Sequence, residues 1–160
     1  MSLEETFTHN TYEEGYDFFI KDKWNKTYHF KVSTFAVPSG LLSEAIEVTD
    51  GDNEREPRKY TILSDFEADV EESELMLKAK IKKDINRRHL VYEHGKPMIS
   101  EEGVLRGRLG GIDNYSDSQF ETCLIIDGQK ITIERFVEML GIYSDYNFKF
   151  QIIDPGDDID

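Results

Sequence analysis

The sequence predicts an α+β domain, a mostly antiparallel and twisted sheet of about six strands with two helices packed on one face. Three observations lead there. Several runs alternate apolar and polar residues with a period of two, as in Tyr28-His29-Phe30-Lys31-Val32. Two other runs carry apolar residues at helical spacing behind good N-caps, Asp69 and Thr132. The connections are short, which favours antiparallel neighbours. A length of 160 residues fits one domain. The expected organisation is a flexible N-terminal segment (1–15), a single α+β domain (16–154) and an acidic flexible tail (155–160).

Taken in order, Asp17–Lys21 and Thr27–Val37 read as two strands, joined by a hairpin loop at Asp22–Lys26. In the second strand Tyr28, Phe30, Val32 and Thr34 fall on one face. Pro38-Ser39-Gly40 breaks the run. Leu42–Thr49 resumes alternation, with Leu42, Ile46 and Val48 on one side and Ala45 and Glu47 on the other. Glu44 interrupts that inward row, which predicts a bulge or an edge position. Asp50–Arg58 reads as a polar loop and Tyr60–Leu63 as a short strand.

A helix opens at Asp69, which caps a free N–H, with Glu72 as its capping-box partner. Val70, Leu77, Ile81 and Ile85 form its apolar stripe, with Lys80, Lys83 and Arg87 opposite. His94–Glu102 is a connector, Val104–Leu109 a strand, Gly110–Ser118 a turn-rich loop and Phe120–Ile126 a strand. Asp127-Gly128 is a strong tight-turn signal, because both positions must tolerate positive φ. Thr132 caps a second helix whose stripe is Ile133, Phe136, Val137, Leu140 and Tyr143. A final strand alternates Tyr146, Phe148, Phe150 and Ile152 with Asn147, Lys149 and Gln151. Pro155–Asp160 should fray.

One stretch resembles a known family. Ile126-Asp127-Gly128-Gln129-Lys130-Ile131-Thr132, then Glu134, Met139-Leu140 and Asn147-Phe148-Lys149-Phe150-Gln151-Ile152, are similar to the C-terminal signature of a bacterial family of unknown function. Upstream, Tyr28–Val32, Pro38–Gly40, Glu44-Ala45 and Leu105–Leu109 look similar too. Ile133 stands where the family has Trp, and Arg135 where it has a second Glu, so an acidic capping partner is lost. Some relatives follow small cysteine-rich metal modules, which this sequence lacks. The resemblance implies a domain and supplies no catalytic residue.

Net charge is −14, unevenly spread. Residues 1–74 hold 7 basic and 18 acidic side chains, residues 75–108 hold 9 and 4, and residues 109–160 hold 3 and 11. The acidic flanks argue against ordinary non-specific nucleic-acid binding. The basic island leaves room for a local phosphate or nucleic-acid site at Lys80, Lys83, Arg87, Arg106 and Arg108. No apolar run is long enough to span a bilayer. The N-terminus lacks a secretory pattern and one cysteine makes no internal disulfide. A reducing, cytoplasmic setting is therefore expected, with no membrane partner.

Candidate chemistry is sparse. Cys123 sits inside Cys123-Leu124-Ile125-Ile126 and reads as a buried thiol. His9, His29, His89 and His94 show no zinc spacing. Asp50–Glu54 resembles a calcium loop but lacks the glycine and the bidentate Glu of that motif. Glu71, Glu72 and Glu74 read as the acidic first turn of a helix. Gly107, Gly110 and Gly111 make no phosphate loop. No cofactor is implied and no catalytic or metal residue is nominated.

Three functions follow. The first is a non-enzymatic interaction domain that binds another protein or self-associates. Phe35, Val37 and Ile153, apolar on the outer sheet face, point towards a dimer, and Trp24 and Tyr115 are candidate interface aromatics. The second is a binder of a phosphate-containing ligand or nucleic acid through residues 78–108. The third is an enzyme, which needs a pocket where a His or Cys meets a carboxylate of perturbed pKa; no motif supports it.

Overall fold

The computed structural model describes residues 15–49, 56–114, 119–157 and 159, with the backbone alone of 112–114 and 119–121. The expectations for residues 1–14, for Asp50–Arg55 and for Tyr115–Ser118 lie outside the described residues. The chain divides into two compact units. The first comprises Met1–Gly51, Pro57–Asn86 and Ile152–Asp160; the second comprises Asp52–Glu56 and Arg87–Gln151.

In the first unit, β1 (Tyr16–Lys21), β2 (Thr27–Val37), β3 (Gly40–Glu47) and β4 (Lys59–Ser64) form an antiparallel sheet in chain order. Helix α1 (Val70–Ile85) packs on one face. Asp22 builds the first hairpin turn. Its carboxylate accepts the backbone N–H groups of Trp24 and Lys26 and the Tyr28 hydroxyl. The core joins Tyr28, Phe30 and Val32 of β2, Ala45 of β3, Tyr60 and Ile62 of β4, and Leu77, Ile81 and Ile85 of α1. Each fully buried Val, Leu, Ile or Phe among them contributes about 1.5–3 kcal/mol.

The β2 face agrees with its sequence pattern. The β3 face is inverted relative to expectation. Ser43, Ala45 and Glu47 point into the core, while Ile46 and Val48 are exposed. No bulge interrupts β3, whose register runs from Phe30↔Glu47 to Val37↔Gly40. The inward polar groups are affordable because each has a partner. Ser43 meets Thr34 at 2.8 Å, and Glu47 accepts the Arg58 N–H at 3.1 Å. Gly40 opens β3 with φ 145°, and a Cβ there would lie 2.1 Å from the Ser64 carbonyl oxygen. Only glycine fits.

α1 begins at its expected cap, with Asp69 accepting from Glu71 N at 3.1 Å. Leu77, Ile81 and Ile85 are buried as expected. Ser73 and Glu74, which hydropathy puts outside, complete the inner stripe.

The second unit holds two smaller antiparallel sheets, β5 (Leu90–Glu93) with β6 (Lys96–Ile99), and β7 (Arg108–Asn114), β8 (Gln119–Ile126) and β9 (Gln129–Thr132). Helix α2 (Ile133–Leu140) follows, then a 3-10 turn at Gly141–Tyr143. The sheet of about six strands is thus corrected. The described residues form antiparallel sheets of four, two and three strands, and α1 and α2 belong to different units. The α+β class stands.

Local causes explain the difference. His94-Gly95, with φ 52° and 78°, makes a tight turn that folds the expected connector into the β5–β6 hairpin. Pro97 is accepted there because β6 has a single partner strand. The strand expected at Val104–Leu109 starts at Arg108 and runs on through Gly110-Gly111, opposite Cys123 and Thr122. A Cβ at Gly110 would meet Cys123 Sγ at 3.1 Å, so the glycine serves packing in the ladder rather than a loop.

Asp127-Gly128 makes the expected turn, with φ 53° and 75°. Thr132 caps α2 by accepting from Arg135 N at 3.0 Å. Of the expected α2 stripe, Phe136 and Tyr143 are half-buried, whereas Ile133, Val137 and Leu140 are exposed and Met139 is the buried residue. Met139 packs with Leu90, Ile126 and Ile131. The expected strand at Tyr146–Ile152 joins no ladder among the described residues.

Candidate functional site

The basic residues come first. Lys80 and Lys83 lie on α1 in the first unit; Arg87, Arg106 and Arg108 lie in the second. Lys80 is committed within its own unit. Its ammonium donates to the carbonyls of Thr61 (3.0 Å), Pro155 (3.3 Å) and Asp157 (2.9 Å). Thr61 Oγ1 also donates to the Pro155 carbonyl at 2.6 Å. Ile152–Asp157 is thereby strapped to edge strand β4, so the described part of the expected fraying tail has definite partners. Lys83 and Arg108 also have interactions within the chain.

Arg106 leads to a cluster that charge counting does not reveal. Its NH1 lies 3.4 Å from His89 Nε2, and His89 Nδ1 lies 3.0 Å from Asp127 Oδ1. A guanidinium only donates, so Nε2 accepts and Nδ1 carries the proton that it donates to Asp127. The other carboxylate oxygen, Oδ2, accepts the backbone N–H groups of His89 and Leu90, both at 2.8 Å. Both side chains are buried, with 3% of His89 and 7% of Asp127 exposed. Burial pushes the Asp127 carboxyl up, but the hydrogen bonds from the His89 ring, Leu90 N and His89 N outweigh it and hold the group below its usual value. Asp127 therefore does two jobs. It adopts the positive φ of the β8–β9 turn and it clasps the start of β5. Sequence reasoning found the first and missed the second, because the partner lies 38 residues away.

Two further polar groups occupy the first unit. Glu74 accepts from the Tyr16 hydroxyl and from Thr34 Oγ1, both at 2.6 Å. It is a core acceptor, not part of a solvated first turn. Arg58 donates to Asp84 at 3.3 Å and lies over the Tyr28 ring, and the Tyr60 hydroxyl donates to the same carboxylate. Burial opposes the Arg58 charge, yet Tyr60, Tyr28 and Asp84 together push its pKa up. Burial first, then the Asp84 carboxylate, pushes the Tyr60 phenol far above its usual value. Cys123 is buried, as read. Among the described residues no cluster of His, Cys, Asp and Glu fits a metal ion.

An exposed apolar stretch closes the second unit and reaches Ile152 of the first. After the 3-10 turn, Asp145 adopts φ 72° and Tyr146–Ile152 belongs to no helix or strand. Tyr146, Phe148, Phe150 and Ile152 are all exposed, Phe148 at 92%. Upstream, Ile133, Val137 and Leu140 form an exposed row on α2 at the i, i+4, i+7 spacing of one helix face. Aromatic and β-branched residues alternating with polar ones fit a pleated, half-covered strand. Here, among the described residues, all of 144–152 are exposed.

Residues 12–86 match the model of a domain of unknown function (DUF7686), and residues 88–157 match that of another domain of unknown function (DUF7713). The boundary between the matches falls where the chain leaves its first unit, at Asn86–Arg87. The second match includes the strap Ile152–Asp157, which by its contacts belongs to the first unit. No curated protein and no solved structure matches the chain. Among the described residues no helix is long and apolar enough to cross a membrane.

Proposed function

We propose that this chain is a non-enzymatic interaction protein whose second unit docks a polypeptide through Tyr146–Phe150 and the exposed row of α2. The observation that carries this reading is the exposed run beginning at Tyr146, which belongs to no helix or strand. It has a strand's alternation and aromatic content, yet its side chains stand in solvent. Contiguous exposed apolar surface is a mark of an interaction site, and an unpaired strand is a template for pairing with another chain. The His89–Asp127 pair supports a non-enzymatic role. Both ring nitrogens have partners and the ring is buried, so no nitrogen is open for proton transfer.

The alternative phosphate site at Lys80, Lys83, Arg87, Arg106 and Arg108 has less support. Lys80 already meets three carbonyls and Arg106 faces the His89 ring.

A benzophenone side chain installed at position 148 tests the reading. Irradiation in cells should give a covalent adduct between the Tyr146–Ile152 peptide and a polypeptide, identified by mass. The absence of any adduct refutes the proposal.

A further inference from the structure

We propose that His89, Asp127 and Arg106 form a proton-operated latch inside the second unit. When the buried imidazole gains a proton it keeps Asp127 and expels the Arg106 guanidinium, which frees the segment Gly103–Gly107. This device goes beyond the docking reading and stands or falls without it.

The hydrogen-bonding roles carry the argument. In the neutral ring Nδ1 donates to Asp127 Oδ1 at 3.0 Å, and Nε2 accepts from Arg106 NH1 at 3.4 Å. A guanidinium only donates, and a protonated imidazole donates from both nitrogens. A proton added at Nε2 therefore sets donor against donor and cation against cation. On the other side of the ring the contact with Asp127 becomes an ion pair and tightens. One proton acts on the two contacts in opposite senses.

Charge balance points the same way. With a neutral ring, the Asp127 carboxylate and the Arg106 guanidinium cancel. Adding a proton while Arg106 stays would leave a net positive charge around a side chain that is 3% exposed. Arg106 leaving restores the balance. Asp127 is the group that stays, because the backbone N–H groups of His89 and Leu90 hold its Oδ2 at 2.8 Å each. Two other groups stand near this cluster. Burial and then Asp127 push the Tyr92 phenol up, and Arg88 pulls it back. Phenols stay neutral and guanidinium groups stay charged between about pH 5 and 8, so the imidazole is the group of the cluster that changes in that window.

Arg106 is held lightly enough to leave. It is half-buried, and among the described residues the His89 ring is the one polar partner of its side chain. Its Nε is buried with no partner. Expulsion lets water reach that orphaned donor, which offsets the lost contact. Gly103–Gly107 belongs to no helix or strand, so no ladder has to break. Leu105 packs against the core of Leu90, Ile126, Ile131 and Met139, which confines the change to the neighbourhood of Arg106.

The test is NMR of the full chain labelled with 15N-arginine and 15N-histidine, with a neutral gadolinium chelate in solution. R106K identifies the Arg106 Nε–H signal by its loss. Near pH 7.5 the His89 ring should carry its proton on Nδ1, and the Arg106 Nε–H should be shielded from the chelate. Towards about pH 5.5 its paramagnetic relaxation should rise severalfold, in step with the His89 ring titration. The Nε–H groups of Arg58 and Arg135, also buried without a partner, should stay shielded and serve as internal controls. Asp127→Asn removes the carboxylate that favours the protonated ring, so release should move to lower pH. An Arg106 Nε–H that stays shielded while His89 titrates overturns the latch. So does a neutral ring with its proton on Nε2, exposure of all three Nε–H groups together, or a release midpoint that Asp127→Asn leaves in place.

Discussion

Replacing Asp127 by alanine removes the three hydrogen bonds that its carboxylate accepts at the start of β5. Two buried backbone donors, His89 N and Leu90 N, lose their acceptor, as does the His89 ring. An unsatisfied buried donor costs about 1–3 kcal/mol. Alanine must also adopt φ near 53°, where aspartate and asparagine are better tolerated, at about 1–2 kcal/mol. The two backbone donors and the backbone conformation together give an expected loss of roughly 3–8 kcal/mol, a large share of a small domain's roughly 5–15 kcal/mol. Asp127→Asn keeps the backbone conformation and one acceptor oxygen, so its cost should be about 1–2 kcal/mol. Hydrogen exchange of peptides spanning 87–93 and 123–132, followed through urea unfolding, reads the effect on this unit.

The acid limb gives an independent check. The Asp127 carboxyl is held below its ordinary value of 3.8 in the folded chain. A depressed carboxyl adds stability that is present above the unfolded value and is lost as pH falls through the folded one. Wild type should therefore lose protection in these peptides as pH drops below about 4, and Asp127→Asn should flatten that limb. An alanine variant within about 0.5 kcal/mol of wild type, or an acid limb that asparagine leaves unchanged, would refute the clasp.

Two further outcomes concern the first unit. Glu74→Ala removes the carboxylate to which the Tyr16 and Thr34 hydroxyls donate and should cost about 1–3 kcal/mol; urea unfolding followed by Trp24 fluorescence, the single tryptophan, measures it. Lys80→Met keeps the aliphatic stem but removes the ammonium from three carbonyls, while that of Pro155 keeps Thr61 Oγ1 as a donor. Exchange at Gly156 and Asp157 should then rise severalfold with little change in the Trp24 transition, and unchanged exchange would count against the strap.

What could be read from the sequence depended on where each residue's partner lay. β2 was legible because its inner face is apolar at Tyr28, Phe30 and Val32, so period and hydropathy agree. β3 has the same period with its polarity reversed. Ser43 and Glu47 go inward because Thr34 and Arg58 meet them, and those partners sit 9 and 11 residues away in the chain. Hydropathy alone assigned the wrong face. The caps Asp69 and Thr132 and the Asp127-Gly128 turn were legible since their physics is local. The hairpin at His94-Gly95 was not, because His is an unusual first residue for such a turn. At Tyr146–Ile152 the alternation was real, but a strand also needs a neighbour, and periodicity does not supply one.

The basic island shows the same limit at the level of the site. A run of positive charge says nothing about what each cation touches. Lys80 turned out to bind the chain's own carbonyls, and Arg106 a histidine whose significance depended on a distant carboxylate.

The strap has a consequence for the order in which the protein matures. The sheet and α1 of the first unit leave the ribosome early, but Ile152–Asp157 follows only after the whole of Arg87–Gln151 has been made. At about 5–20 residues per second this gap lasts roughly 3–13 seconds. During that time β4 lacks the strap that later meets its edge. The nascent first unit is thus open to edge pairing for the full duration of its neighbour's synthesis, and a chaperone able to shield a strand edge has a defined window in which to act.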